Sequence, residues 1–359
     1  MQKNSIDTKD LSLIVTPLLS WYDQHARILP WRENPLPYHV WVSEIMLQQT
    51  RVETVKPYFD RWIESLPTLA TLAHAPEEQV LKLWEGLGYY NRARNMQKAA
   101  KMILDTYGGE VPASYDALLT LPGIGEYTAG AVASIAFGLP VPCVDGNVLR
   151  VLTRILTDQR EIDQTSVKKY FTEEIRLIIP RERPGDFNQA LMELGATVCM
   201  PNGLPKCELC PLHFMCKACL QDRVMEFPVK AKKKPRKKEY KTIFLILKEE
   251  KIAIRRREES GLLANLWEFP GTAGFLTLKE AKDQLNSWGL LAETIEELNP
   301  AKHIFTHIEW HMTGYLCKVT EFEEQNHDFE WVSKKDLTDH FAIPSAYKAF
   351  YMQLLSILK

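Results

Sequence analysis

The sequence predicts two domains of different class, an all-α half followed by a mixed α/β (α+β) module. Three observations predict it. From Leu11 to about Val224 apolar residues recur at spacings of three and four, a lysine-rich run then interrupts the pattern at 229–240, and beyond it apolar residues come in β-branched and aromatic runs. A chain of 359 residues has room for two or three domains with sizeable cores. No apolar stretch approaches the ~20 residues of a spanning helix, so no membrane partner is expected. The N-terminus, MQKNSIDTKDLSLIV, has no basic start, apolar middle and small-residue cleavage site, which predicts a bacterial cytoplasmic protein rather than a secreted one. Lys plus Arg (44) nearly balances Asp plus Glu (46), so nucleic-acid binding would have to use local patches.

The helical half is expected over 1–228. Leu11, Ile14, Leu18, Leu19 and Tyr22 mark a first amphipathic helix, and Val42, Ile45 and Met46 mark another. Pro35, Pro37, Gly86, Gly88, Gly108, Gly109, the segment Pro122 to Gly125 and the segment Gly138 to Pro140 punctuate the rest. In LPGIGEYTAGAVASIAFG (121–138), Gly123 and Gly125 form a tight turn ahead of a small-residue helix. Such a turn lets backbone N–H groups approach a phosphate, although a plain helix connection has the same look. In VPCVDGNVLRVLTR, Asp145 precedes Gly146 and Asn147 at the start of an amphipathic helix, where a carboxylate alone reads as an N-cap.

Five of the seven cysteines fall between Cys199 and Cys219, which in a long chain suggests metal before disulfides. Cys199, Cys207, Cys210 and Cys216, separated by seven, two and five residues, can converge on one inorganic centre. Zinc also accepts four thiolates, and spacing leaves both open. Cys219 is a fifth thiol just outside the pattern. The run VKAKKKPRKKEY (229–240) reads as a basic linker, either simply solvated or touching DNA phosphate. The module at 241–359 follows, with strands in TIFLIL (242–247), IAIR (252–255) and IEWHMTGYLCKV (308–319), and with helices near Lys279 to Trp288 and Ala346 to Leu358.

Hairpin, aspartate and cysteine loop in this order resemble the helix-hairpin-helix glycosylases of the endonuclease III superfamily, whose first cysteine gap is one residue shorter. LPWRENPLPYHVWVSEIMLQQTRVETV (29–55), WEGLGYYNRARN (84–95) and FNQALMELGA (187–196) resemble the adenine DNA glycosylase (MutY) family, so that the likeness covers the whole helical half. The resemblance implies a six-helix part at about 30–140. It also implies an iron-sulfur part, built from the N-terminal helix and about 141–228, with a [4Fe-4S] cluster on Cys199, Cys207, Cys210 and Cys216. It implies a monomer acting on double-stranded DNA with adenine opposite 8-oxoguanine or guanine. Adenine leaves poorly until a ring nitrogen is protonated, and the sugar then develops an oxocarbenium-like cation, so an acid and an anion are both needed. By family position Glu44 is the acid at adenine N7, Asp145 the anion, and Tyr127 and Asn147 their supports. Arg27, Trp31 and Gln189 line the adenine pocket. Gln49, Thr50, Leu87, Tyr89, Gly123 and Gly125 meet the DNA, with Gln49 and Tyr89 entering the duplex. Tyr127 stands where strand-cutting relatives carry an attacking lysine, and tyrosine forms no Schiff base, which predicts an essentially monofunctional glycosylase.

GLLANLWEFPG (261–271) resembles the Nudix-like domain of the same family. The TAGFLTLKEAKDQLNSWG that follows lacks the carboxylates that hold magnesium in a Nudix hydrolase, so no hydrolysis by this module is expected. Its implied role is reading 8-oxoguanine through Phe305, Thr306 and His307, where threonine keeps a hydroxyl. Two other readings compete: a strand-cutting pyrimidine glycosylase, against which Tyr127 speaks, and a non-catalytic DNA-binding scaffold, against which Glu44 and Asp145 speak.

Overall fold

A computed structural model describes residues 11–232, 235–322 and 329–358; the expectations for residues 1–10 and for Lys233 and Lys234 lie outside them. The chain separates into two units. One holds the residues up to His74 together with Asn95–Lys232, and the other holds Ala75–Arg94 together with the chain beyond Lys232.

The longer helices before the linker are α1 (Val15–His25), α2 (Pro37–Leu47), α3 (Val52–Ser65), α4 (Asn91–Tyr107), α5 (Glu126–Phe137), α6 (Gly146–Leu156), α7 (Thr165–Ile178) and α8 (Pro184–Thr197). In the first unit α6 is the central rod, with every residue from Val148 to Leu156 buried. Around it Leu18, Trp21 and Tyr22 of α1, Phe171 and Ile175 of α7, and Phe187, Leu191 and Leu194 of α8 form one core. The small-residue run of α5 has a packing purpose. A Cβ on Gly130 would lie 2.4 Å from the Pro142 carbonyl oxygen, so only glycine lets α5 pass that close to the strand of chain leading into Asp145.

The second unit is built on a seven-stranded sheet: β1 (Lys237–Lys248), β2 (Lys251–Arg256), β3 (Trp267–Glu268), β4 (Gly271–Ala273), β5 (Leu290–Ile304), β6 (Ile308–Phe322) and β7 (Phe329–Ser333). The main order is β3-β2-β1-β6-β5, with β4 pairing β1 and β7 pairing β2. The β1–β6 pair is parallel and the other pairs are antiparallel. Ile243, Leu245 and Leu247 face one apolar cluster and Phe244 and Ile246 the other, the period-two alternation of a strand buried on both faces. The expected helices are present as Leu278–Ser287, opened by a Thr277/Glu280 capping box, and Lys348–Ile357.

Two boundaries differ from the sequence expectation. Strand β1 starts at Lys237, inside the expected linker, because Lys237–Tyr240 pair in register with Ile308–His311 and Glu239 accepts from Trp310 Nε1 at 3.0 Å. Residues 75–94, expected within the six-helix part, cluster with the C-terminal module. Lys82 Nζ donates to the Phe341 carbonyl, Glu85 accepts from the Ile343 N–H at 2.8 Å, and the Arg94 guanidinium donates to the Ala264 and Asn265 carbonyls.

Candidate active site

Glu44 sits in the middle of α2, an element buried from Val40 to Met46, so the residue is only 5% exposed. Tyr127, in the first turn of α5, donates its hydroxyl to Glu44 Oε2 at 2.7 Å and lies 3.1 Å from the Met192 sulfur. Burial pushes the Glu44 carboxyl up to about 7 and the nearby Asp145 charge adds to this, while the Tyr127 hydrogen bond pulls the other way. The Tyr127 phenol is itself pushed well above its ordinary range by burial and by Glu44, so it stays a donor.

Asp145 is the N-cap of α6, accepting from the Asn147 and Val148 N–H groups at 2.9 and 2.8 Å and from Asn147 Nδ2 at 2.8 Å. Burial raises its pKa, and these three donors oppose that rise by favouring the charged form. The cap and the catalytic reading therefore fall on the same carboxylate. Asn147 is held in turn by Arg150, whose Nη2 donates to Asn147 Oδ1 at 2.7 Å and to the Gly195 carbonyl, and whose Nε donates to the Cys199 carbonyl at 2.7 Å.

Arg27 and Gln189, expected to line a base pocket, meet through a group the sequence reading missed. Glu193 is buried, and it takes Arg27 Nε at 2.5 Å and Arg32 Nη2 at 2.8 Å, while Arg32 Nε donates to Gln189 Oε1 at 3.0 Å. Burial opposes the Glu193 charge, yet the two arginines hold its pKa below the usual carboxylate range. The signal was available, since Gln189 and Glu193 are four apart on one helical face within the quoted FNQALMELGA run. Trp31 is buried with its ring edge on Phe59.

The DNA-facing candidates divide. Gln49 is exposed at φ 60° and Tyr89 is 52% exposed at φ 48°, a left-handed backbone that non-glycine residues seldom adopt and that points to function. Thr50 is half-buried, its N–H on the Leu47 carbonyl. The Leu87 side chain is buried and its carbonyl accepts from Arg92, so within the GLGYY turn it is the backbone of this residue that faces a partner. Gly123 has φ 78° and Gly125 is the N-cap of α5, both exposed. In the second unit Phe305, Thr306 and His307 form the β5–β6 hairpin connection. Phe305 packs its edge on Trp310, and the exposed Thr306 Oγ1 hydrogen-bonds the Tyr89 hydroxyl at 2.8 Å.

Cys199, Cys207, Cys210, Cys216 and Cys219 line one pocket with Arg154, His213 and Val224. Arg154 Nη1 donates to the Cys199 sulfur at 3.2 Å. Among the described residues no group of three or more His, Cys, Asp or Glu side chains is closed on a metal position. Five thiols around one pocket are a donor set that fits a thiolate-bound metal centre, zinc or iron-sulfur.

Residues 42–177 match the model of the HhH-GPD superfamily of base excision DNA repair proteins, and residues 242–353 match the NUDIX domain model. The chain is 37% identical to an adenine DNA glycosylase of Rattus norvegicus, an alignment covering 84% of this chain and 70% of that protein. It is also 37% identical to one from Buchnera aphidicola subsp. Baizongia pistaciae, covering 86% of this chain and 88% of that protein. The chain belongs to the adenine DNA glycosylase family. This glycosylase is a base-excision enzyme that removes adenine by hydrolysing an N-glycosidic bond. Its fold is similar to that of a thermostable thymine-DNA glycosylase, with TM-score 0.54 and 29% identity over 59% of this chain and 98% of the other. It is similar too to an endonuclease III solved in a non-covalent DNA complex, with TM-score 0.52 and 27% identity over 60% of this chain and 98% of the other.

Proposed function

We propose that this glycosylase excises adenine paired with 8-oxoguanine, and also with guanine, from double-stranded DNA, with Glu44 protonating the flipped base and Asp145 stabilising the sugar cation. The observation that carries the reading is the unequal hydrogen bonding of two buried carboxyls: Glu44 receives one O–H, whereas Asp145 receives three N–H groups. The first is set to hold a proton near neutrality, the second to stay an anion where positive charge develops. Glu193, Arg27, Arg32 and Gln189 supply the donors and acceptors that orient a purine edge. Tyr89 and Thr306 present two linked hydroxyls on exposed turns, the chemistry needed to read an oxidised purine by hydrogen bonds. The five-thiol pocket is read as the seat of a [4Fe-4S] cluster, which when bound would cross-link the 199–219 loop and pin it against α6.

Single-turnover base release from duplexes carrying adenine opposite 8-oxoguanine, guanine or thymine, and from one carrying an oxidised pyrimidine, tests this. Adenine release from the first two is expected, with Glu44→Gln and Asp145→Asn slower by roughly 10²–10⁴-fold and still binding DNA. Release of the oxidised pyrimidine alone would overturn the reading.

A further inference from the structure

The Tyr127 phenol has one hydroxyl proton and two acceptors within reach. Glu44 Oε2 lies 2.7 Å from its oxygen and the Met192 sulfur 3.1 Å. Met192 follows Gln189 by three residues on α8, which sets its thioether on that residue's side of the helix. It is half-buried against the core of the first unit, and it is uncharged. The other titratable groups that face Glu44 and the phenol are Asp145 and Cys143, ahead of α6, and Arg32, ahead of α2. The buried side of α3, made by Val55, Phe59 and Trp62, is apolar. Among the described residues, Glu44 and Met192 are the two that hydrogen-bond the phenol.

We propose that Met192 is a positioning residue for base protonation: its sulfur accepts the Tyr127 O–H while Glu44 is protonated, and the O–H turns back to Glu44 once that carboxyl has passed its proton to adenine. The inference rests on the reading of Glu44 as the acid. An ionised carboxylate is the stronger acceptor, because its bond to the phenol is charge-assisted, and it keeps the O–H from the thioether. A protonated carboxyl is a neutral acceptor and can itself donate to the phenol oxygen, which releases the phenol O–H to the sulfur. The thioether therefore stabilises the protonated state alone and opposes the pull of Tyr127 toward the ionised one. The turn is a rotation about the phenol C–O bond, and no covalent bond is made or broken in it.

The test is the pH dependence of adenine release from duplex carrying adenine opposite 8-oxoguanine, measured below saturation so that the profile reports the unbound enzyme. Met192→Leu keeps the side-chain volume and removes the acceptor. Its alkaline limb is expected to move down by roughly 0.3–0.8 pH unit, the worth of one weak hydrogen bond. In a Tyr127→Phe background, which has no O–H to turn, the same substitution is expected to leave the limb where Tyr127→Phe alone puts it. Met192→Gln, whose amide oxygen accepts in place of the sulfur, is expected to hold the limb at or above its wild-type position. A purely structural role for Met192 would lower the rate alike at every pH without moving the limb, and that result overturns the inference. So does an equal shift with and without the phenol, or a limb in Met192→Gln as low as in Met192→Leu. A wild-type profile with no alkaline limb, or Glu44→Gln as fast as wild type, overturns the acid reading itself.

Discussion

Glu44 owes its acidity to where α2 puts it more than to any partner, because burial is the largest influence on it and Tyr127 works against that influence. Base release is therefore expected to fall as pH rises through about 7, when the proton is lost. Removing the phenol in Tyr127→Phe takes away the group that lowers the Glu44 pKa, so the alkaline limb is expected to move to higher pH; an unmoved or lowered limb in a pH–rate profile would contradict the assignment. Stability follows the same sign. A pKa raised from 4.5 to about 7 gives a contribution that is full below pH 4.5 and is lost as pH rises through 7, worth about 3 kcal/mol. Relative to wild type, Glu44→Gln is expected to gain up to that amount in denaturant melts above pH 7 and nothing near pH 4. Glu44 and Asp145 were legible because they lie in contiguous motifs. Arg150 was not, since its partner Cys199 is remote in sequence and nothing local marks the pairing, whereas Glu193 was marked by its place four residues after Gln189 and was overlooked.

At the scale of elements, the approach of α8 to α6 sets the geometry of the proposed catalytic carboxylate. A Cβ on Gly195 would stand 2.7 Å from Asn147 Cβ, so Gly195→Ala must push Asn147, and with it the Asp145 carboxylate, without deleting any catalytic atom. Overpacking of this kind costs about 1–3 kcal/mol, and a displacement near 1 Å costs about 10²-fold in rate. Single-turnover kinetics beside thermal melting would register both, and an unchanged rate would show that the contact does not transmit to the site. Helical spacing and turn glycines made most of these elements readable in the sequence. The start of β1 was not readable, because KKEY looks like solvated linker until Ile308–His311, some seventy residues later, supply its hydrogen bonds. The burial of the Leu87 side chain was unreadable for a related reason: a motif identifies a turn, but only packing decides which of its side chains point outward.

For the whole molecule, the β5–β6 hairpin and the GLGYY turn are one assembly, since Tyr89 and Thr306 share a hydrogen bond within the second unit. Thr306→Ala is expected to keep adenine release opposite guanine and to lower the preference for 8-oxoguanine by roughly 3- to 10-fold, the worth of about one hydrogen bond. Truncation after Lys232 should do more, taking from Lys82, Glu85 and Arg94 their backbone partners at 341, 343, 264 and 265 and bringing residues 75–94 into rapid amide hydrogen exchange. Slow exchange there in the truncated protein would show that the segment needs no C-terminal support. The division into a helical half and a mixed module was legible from the change in periodicity; the return of residues 75–94 to the later module was not, because its contacts at 264, 341 and 343 lie far downstream. That interleaving has a consequence in time. On a ribosome adding about 5–20 residues per second, the segment bearing Tyr89 emerges roughly 10–50 s before the partners at 341–343 that complete its surroundings. On the function proposed above, recognition of the lesion is thus the last property a newborn chain acquires, and a chain stalled late in synthesis would hold the proposed acid and anion but have no means of choosing where to use them.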